Sequence, residues 1–231
     1  MLEDLKQKVC KANIELKNQN IVIYTWGNVS EIDRDKNLVV IKPSGIDYSV
    51  MKPDDMVVVD LYTGAVIEGK WKPSSDTATH LELYKAFPNI GGIVHTHSKN
   101  AVSLAQAGVN LKALGTTHAD YFYGDVKCTR SLTHSEIESE YEKNTGKVIV
   151  ETIGNDDPLK IPAILVNGHG PFTWGKDCIE AVETSVVLEY ISEMAIKTMV
   201  MNKEASLENY ILDKHYFRKH GEGAYYGQKN E

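Results

Sequence analysis

The sequence predicts a single α/β domain, α+β in style, with a mostly antiparallel sheet covered by helices. Three observations lead there. Strand-like and helix-like segments are intermixed along the chain, and several strands are separated only by turns. No Pro/Gly/Ser-rich linker or charge block divides the 231 residues, so 1–231 is read as one domain, and a 42% hydrophobic share can fill one good-sized core.

The elements follow in chain order. Leu2, Leu5, Val9, Ala12 and Leu16 recur at steps of three and four, which gives one apolar face of an N-terminal helix. Ile21–Tyr24 reads as a strand ending in the polar turn Trp26–Ser30. Leu38–Ile41 is a second strand, stopped by Pro43-Ser44-Gly45, and Met56–Leu61 a third, turned at Thr63-Gly64. Lys72–Asp76 opens a helix that runs through Leu81 and Tyr84 to Phe87, before Pro88. Gly92–His97 is a short strand, and a helix from about Ala101 to Gln106 is stopped by Gly108. Thr133-His134-Ser135-Glu136 fits a capping box that opens a helix to about Asn144. Val148–Glu151 and Ala163–Val166 read as strands, a long helix begins near Asp177, and another spans Asn209 to Lys219.

The formal charge of −7, with no clustered positive charge, argues against nucleic-acid and anionic-membrane partners. Charges in Met1–Lys6 leave no room for the apolar stretch of a signal peptide. No apolar run approaches the ~20 residues of a membrane helix. Cys10, Cys128 and Cys178 are far apart and odd in number, which fits thiols in a reducing cytosol rather than a disulfide framework, so a cytoplasmic protein is expected. Gly221, Gly223 and Gly227 lack the spacing, the preceding strand and the following helix of a dinucleotide-binding turn.

His95 and His97 lie two apart in a strand-like run, so both imidazoles point to one face. Such a pair is either a divalent-metal half-site or two hydrogen-bonded histidines. His169, between two glycines at the end of a strand, is placed to bring in a third ring. Three histidines would leave open coordination positions, as catalytic zinc requires, and they also suit manganese, cobalt or iron. Asp76 is either a fourth ligand or base at this metal, or the N-cap of its own helix.

Gly91–Ser98, with His95 and His97, and Gly168–Phe172, with His169, resemble the class II aldolase/adducin family. So do Trp26–Ser30, Lys42–Gly45, Pro73–Thr77 and Gly115–Tyr121. His-Ala-Asp-Tyr at 118–121, with the endings His215–Gly221 and Ala224–Gln228, is similar to its L-ribulose-5-phosphate 4-epimerase branch, and the similarity covers nearly the whole chain. The resemblance implies one zinc per subunit (manganese or cobalt as alternatives), held by His95, His97 and His169 with Asp76 at or near it. It implies a phosphosugar substrate, with Asn28, Lys42, Ser44, Gly45, Ser74 and Ser75 around the phosphate and Thr116, His215 and Arg218 also about the site. Ser/Gly turns and a helix N-terminus suit a phosphate dianion. Asp120 and Tyr226 match the family's two acid/base positions. In the family these come from a neighbouring subunit of a cyclic homotetramer.

The implied reaction interconverts L-ribulose 5-phosphate and D-xylulose 5-phosphate by cleaving and remaking C3–C4. Thr77–Tyr84 and Asn144–Ile149 lean toward the ascorbate/gulonate rather than the arabinose type of this enzyme. A class II sugar-phosphate aldolase and a non-catalytic adducin-like binding module are the alternatives. Glu142 reads as a charge on a helix face, and His80 and His118 have no assigned role.

Overall fold

The computed structural model describes residues 2–226. Helix α1 (Glu3–Asn18) leads into strands β1 (Asn28–Asp33), β2 (Leu38–Ile41), β3 (Val57–Asp60) and β4 (Val66–Glu68). Then come α2 (Thr77–Ala86), β5 (Gly92–His95), α3 (Lys99–Ala107), the short α4 (Thr116–Ala119) and α5 (His134–Glu138), and α6 (Tyr141–Ile153). Strands β6 (Ala163–Val166) and β7 (Gly170–Gly175) precede α7 (Cys178–Met201) and α8 (Asn209–Phe217). The strands form one seven-stranded sheet in the order β4-β3-β2-β1-β5-β7-β6, and every neighbouring pair is antiparallel.

The sheet is buried on both faces, and alternation along each strand decides which face a side chain serves. Val39, Ile41, Val57, Val59 and Ile93 join Leu81 and Tyr84 of α2 and Ile149 of α6 in one core. Val40, Val58 and Val94 join Val9 and Leu16 of α1 and Val182 of α7 in the other. Asp177 caps α7 by accepting the backbone N–H of Ile179 and of Glu180, each at 2.9 Å. The start of α7 presses so closely on β5 that a Cβ on Gly92 would lie 2.3 Å from Cys178 N, so only glycine fits there. Among the described residues no helix is long and apolar enough to cross a membrane. Cys10, Cys128 and Cys178 are free.

Several expected elements differ. Residues 21–24 are not a strand: Ile21 and Val22 are buried, but Ile23 and Tyr24 are exposed and Tyr24 turns the chain at φ 51°. The strand instead starts at Asn28, in the segment expected to be a turn. Its polar side chains are buried with partners from other elements: Asn28 Nδ2 donates to Asp76, Ser30 Oγ meets His80, and Glu31 accepts the Cys178 N–H, while the Val29 N–H donates to Asn13 Oδ1. Residues 148–151 lie inside α6, not in a strand. Their β-branched run is the buried face of a helix, carried by Val148, Ile149 and Ile153. The capping box at Thr133 forms in both halves, but its helix stops at Glu138 and α6 restarts at Tyr141. Glycine and proline hid β7, and β4 is a three-residue edge strand with exposed Val66 and Ile67.

Candidate functional site

The end of β5 and the turn between β6 and β7 lie side by side because β5 pairs with β7, His95 standing opposite Phe172. The turn is made by Gly168 at φ 70°, and it delivers His169 toward β5. The rings of His95, His97 and His169 are 4.8–5.1 Å apart, centre to centre, and one ligand atom from each lies within 4.8 Å of the others.

Their surroundings leave a His95 nitrogen free for a cation. His95 Nδ1 is 2.9 Å from the Pro171 carbonyl, which fixes the proton on Nδ1. Its Nε2 lone pair is then buried with no partner, an orphan that a metal ion would satisfy. Tyr141 Oη lies 3.3 Å from His169 Nδ1 and helps orient that ring. Burial, followed by the nearby imidazoles, holds His169 down at about 4, and desolvation followed by His95 lowers His97. At neutral pH both rings are therefore uncharged, the form that binds metal.

Asp76 stands at the start of α2 but does not cap it, since its backbone is already helical (φ −71°) and its side chain accepts no helix N–H. Instead its Oδ2 accepts a 2.6 Å hydrogen bond from Asn28 Nδ2. Burial pushes the Asp76 carboxyl up, but the fields of His95 and His80 and the Asn28 bond outweigh it and hold it below the usual range. It shares the triad's cavity without belonging to the group of three converging ligand atoms.

That cavity, about 420 Å³, also takes in Asn28, Lys42, Ser44, Gly45, Ser74 and Ser75. Two loops make its far wall, joined where the Ser44 N–H donates to Lys72 O (2.9 Å) and the Ser74 N–H to Lys42 O (3.0 Å). Those two N–H groups are spent on structure. The Ser44 and Ser74 hydroxyls and the Gly45 and Ser75 N–H groups have no partner among the described residues. Lys42 is buried, and its Nζ donates to Thr25 O at 3.1 Å. Burial brings its pKa down to about 8, so it is still mostly charged at neutral pH within the cavity wall. Tyr141 and Glu142 line the same cavity, so Glu142 is not the simple helix-face charge expected. Both stand in the first turn of α6, just after the break that follows α5.

A second cluster forms elsewhere. Asp120 ends α4, and its carboxylate accepts from His215 Nδ1 (3.0 Å) and from two Arg218 nitrogens (2.9–3.2 Å), with Lys219 Nζ at 3.3 Å. Burial pushes this carboxyl up, but Arg218, His215 and Lys219 outweigh it and hold it low. Tyr226 is exposed, its ring centre 4.7 Å from both the Arg218 and the Lys219 cationic groups. Thr116 lies one turn before Asp120, whose N–H donates to its carbonyl at 3.0 Å. Asp120 and Tyr226 line a cavity of about 660 Å³ that contains none of the triad. Within one chain, then, Thr116, Asp120, His215, Arg218 and Tyr226 gather away from the histidines and the serine loops.

A model of the Class II Aldolase and Adducin N-terminal domain matches residues 7–196. Among solved structures, an L-fuculose 1-phosphate aldolase is 27% identical, covers 93% of this chain and 95% of its own, and superposes with a TM-score of 0.78. An L-fuculose 1-phosphate aldolase from Glaciozyma antarctica (19% identical, 96% and 84% covered, TM-score 0.78) shares the fold. So does YgbL of Klebsiella pneumoniae, described as a candidate aldolase/epimerase/decarboxylase (22% identical, 93% and 99% covered, TM-score 0.73).

Proposed function

The chain belongs to the class II aldolase and adducin family, and on that premise we propose that it is a zinc-dependent L-ribulose-5-phosphate 4-epimerase. The observation that carries the reading is the histidine triad with its orphaned His95 Nε2, beside a cavity wall of hydroxyls, free N–H groups and Lys42.

The chemistry follows from the substrate. C4 of a 2-ketose phosphate is beta to the carbonyl, so its hydrogen is not acidified and simple deprotonation is unfavourable. Removing the C4 hydroxyl proton and breaking C3–C4 sends the bonding pair toward C2, giving the enediolate of dihydroxyacetone and glycolaldehyde phosphate. Rotation of the aldehyde and re-addition to its other face inverts C4. His95, His97 and His169, with Asp76 beside them, would hold a zinc ion, which would supply Lewis acidity for the negative charge of the enediolate. Asn28, Lys42, Ser44, Gly45, Ser74 and Ser75 hold the phosphate while the aldehyde turns. Asp120 and Tyr226 move the C4 hydroxyl proton, one on each face. Their distance from the triad within a chain supports a site shared between copies, in a cyclic tetramer, with Thr116, His215 and Arg218 contributed by the same neighbour.

A second reading is a sugar-phosphate aldolase, favoured by the 27% identity to the L-fuculose 1-phosphate aldolase. One experiment separates the two. Purified, metal-quantified protein is incubated with L-ribulose 5-phosphate before and after chelation. Metal-dependent appearance of D-xylulose 5-phosphate is expected. Accumulation of free glycolaldehyde phosphate would move the assignment to an aldolase, and no conversion by metal-loaded protein would reject this substrate.

A further inference from the structure

His80 is fully buried on α2, one helical turn after Asp76, so the two side chains share a face of that helix. Its Nδ1 lies 2.7 Å from Ser30 Oγ on β1, and that oxygen lies 2.8 Å from the hydroxyl of Tyr84, itself fully buried. The His80 ring stands edge-on to Phe172, whose ring stacks on His95 at 4.3 Å. Its Nε2 is buried with no hydrogen-bond partner. A buried, unpartnered polar atom of this kind costs stability unless it serves something.

Counting protons along the chain ranks the two tautomers of His80. If Tyr84 donates to Ser30 and Ser30 donates to His80 Nδ1, every hydroxyl proton is used and Nε2 carries the ring hydrogen. In the reverse order the Tyr84 hydroxyl proton is buried without an acceptor, and if both neighbours donate to Ser30 its own hydroxyl proton is the one left over. Asp76 lies one helical turn away on the same face of α2, and a nearby carboxylate favours N–H over a lone pair. On Asp76, Asn28 holds Oδ2, and the other oxygen has no hydrogen bond among the described residues.

We propose that His80 is a positioning residue for the metal centre: the buried chain Tyr84–Ser30–His80 fixes it as the neutral Nε2–H tautomer, and that N–H holds the Asp76 carboxylate opposite Asn28 when the centre is loaded. The proposal rests on the metal-centre reading above. Two variants divide the ring's functions. Asparagine at 80 keeps a polar group near the Nδ1 position, within reach of Ser30, but loses the arm toward Asp76. Glutamine places an amide N–H near the Nε2 position.

Cobalt(II) is titrated into metal-free protein with no sugar present, and affinity and visible absorption are read, with thermal melts as the check on folding. Wild type and His80→Gln are expected to bind alike. His80→Asn should bind at least about tenfold more weakly with a changed spectrum, the usual scale for a residue that orients a ligand. The same substitution in an Asp76→Asn background should add nothing further. Equal binding by His80→Asn and wild type, or an undiminished effect in the Asp76→Asn background, overturns the proposal. Cobalt failing to bind even the wild type would instead reject the metal centre itself. Independently of any variant, ¹⁵N-histidine NMR of the wild type at neutral pH should show the His80 proton on Nε2, and a proton on Nδ1 would overturn the proposal.

Discussion

The triad and the Asp120 cluster are opposites in charge balance. In the triad, burial keeps the His97 and His169 rings neutral and His95 Nε2 has no partner, so the region has room for a cation. Around Asp120, His215, Arg218 and Lys219 already surround one carboxylate, so that region lacks nothing and needs no ion. The lesson is that similar residue types make different surroundings: imidazoles with a spare lone pair can take a metal ion, whereas a carboxylate saturated by donors is held in place without one.

Four changes break or sharpen that contrast. His97→Asn should strip metal and lower turnover together, by more than about a hundredfold; metal analysis showing full occupancy would remove His97 from the ligand set. Tyr226→Phe, in the other region, should leave metal content intact and cut kcat about a hundredfold or more, the scale of one acid/base group. Lys42→Met should raise KM for the phosphosugar about tenfold with a smaller change in kcat, reflecting one charged hydrogen bond to phosphate. Unchanged KM would show that Lys42 only joins its two loops. The smallest effect is on metal-free stability. His169 titrates at about 4 when folded against a reference of 6.5, so between those values the unfolded chain binds a proton the folded chain refuses. Stability of the metal-free protein should therefore fall as pH drops through that window, by a few degrees of melting temperature, and His169→Gln should flatten the slope.

The triad was legible in the sequence because a two-residue spacing in an extended run brings His95 and His97 to one side, although β5 itself ends at His95, and the Gly168 turn marks His169. The long helices α1, α2 and α7 were legible for the same reason of period. What escaped has physical causes. β1 is buried through polar residues whose partners, Asn13, His80 and the Cys178 N–H, are distant in sequence, so no hydrophobic pattern marks it. Val148–Glu151 misled because β-branched runs fit a strand or a buried helix face equally. Tyr141 and Glu142 line the cavity just after the two-residue break that follows Glu138, which periodicity does not mark, and the His80 network depends on burial that spacing does not reveal.

The most direct test of a site shared between copies is to mix the His97→Asn and Tyr226→Phe proteins, dissociate and reassociate them, and follow D-xylulose 5-phosphate formation from L-ribulose 5-phosphate. If each site takes its metal half from one copy and its acid/base half from the next, random mixing should restore roughly a quarter of the sites, against almost none in either parent. A mixture no more active than its parents, with hybrid oligomers demonstrably formed, would contradict that arrangement.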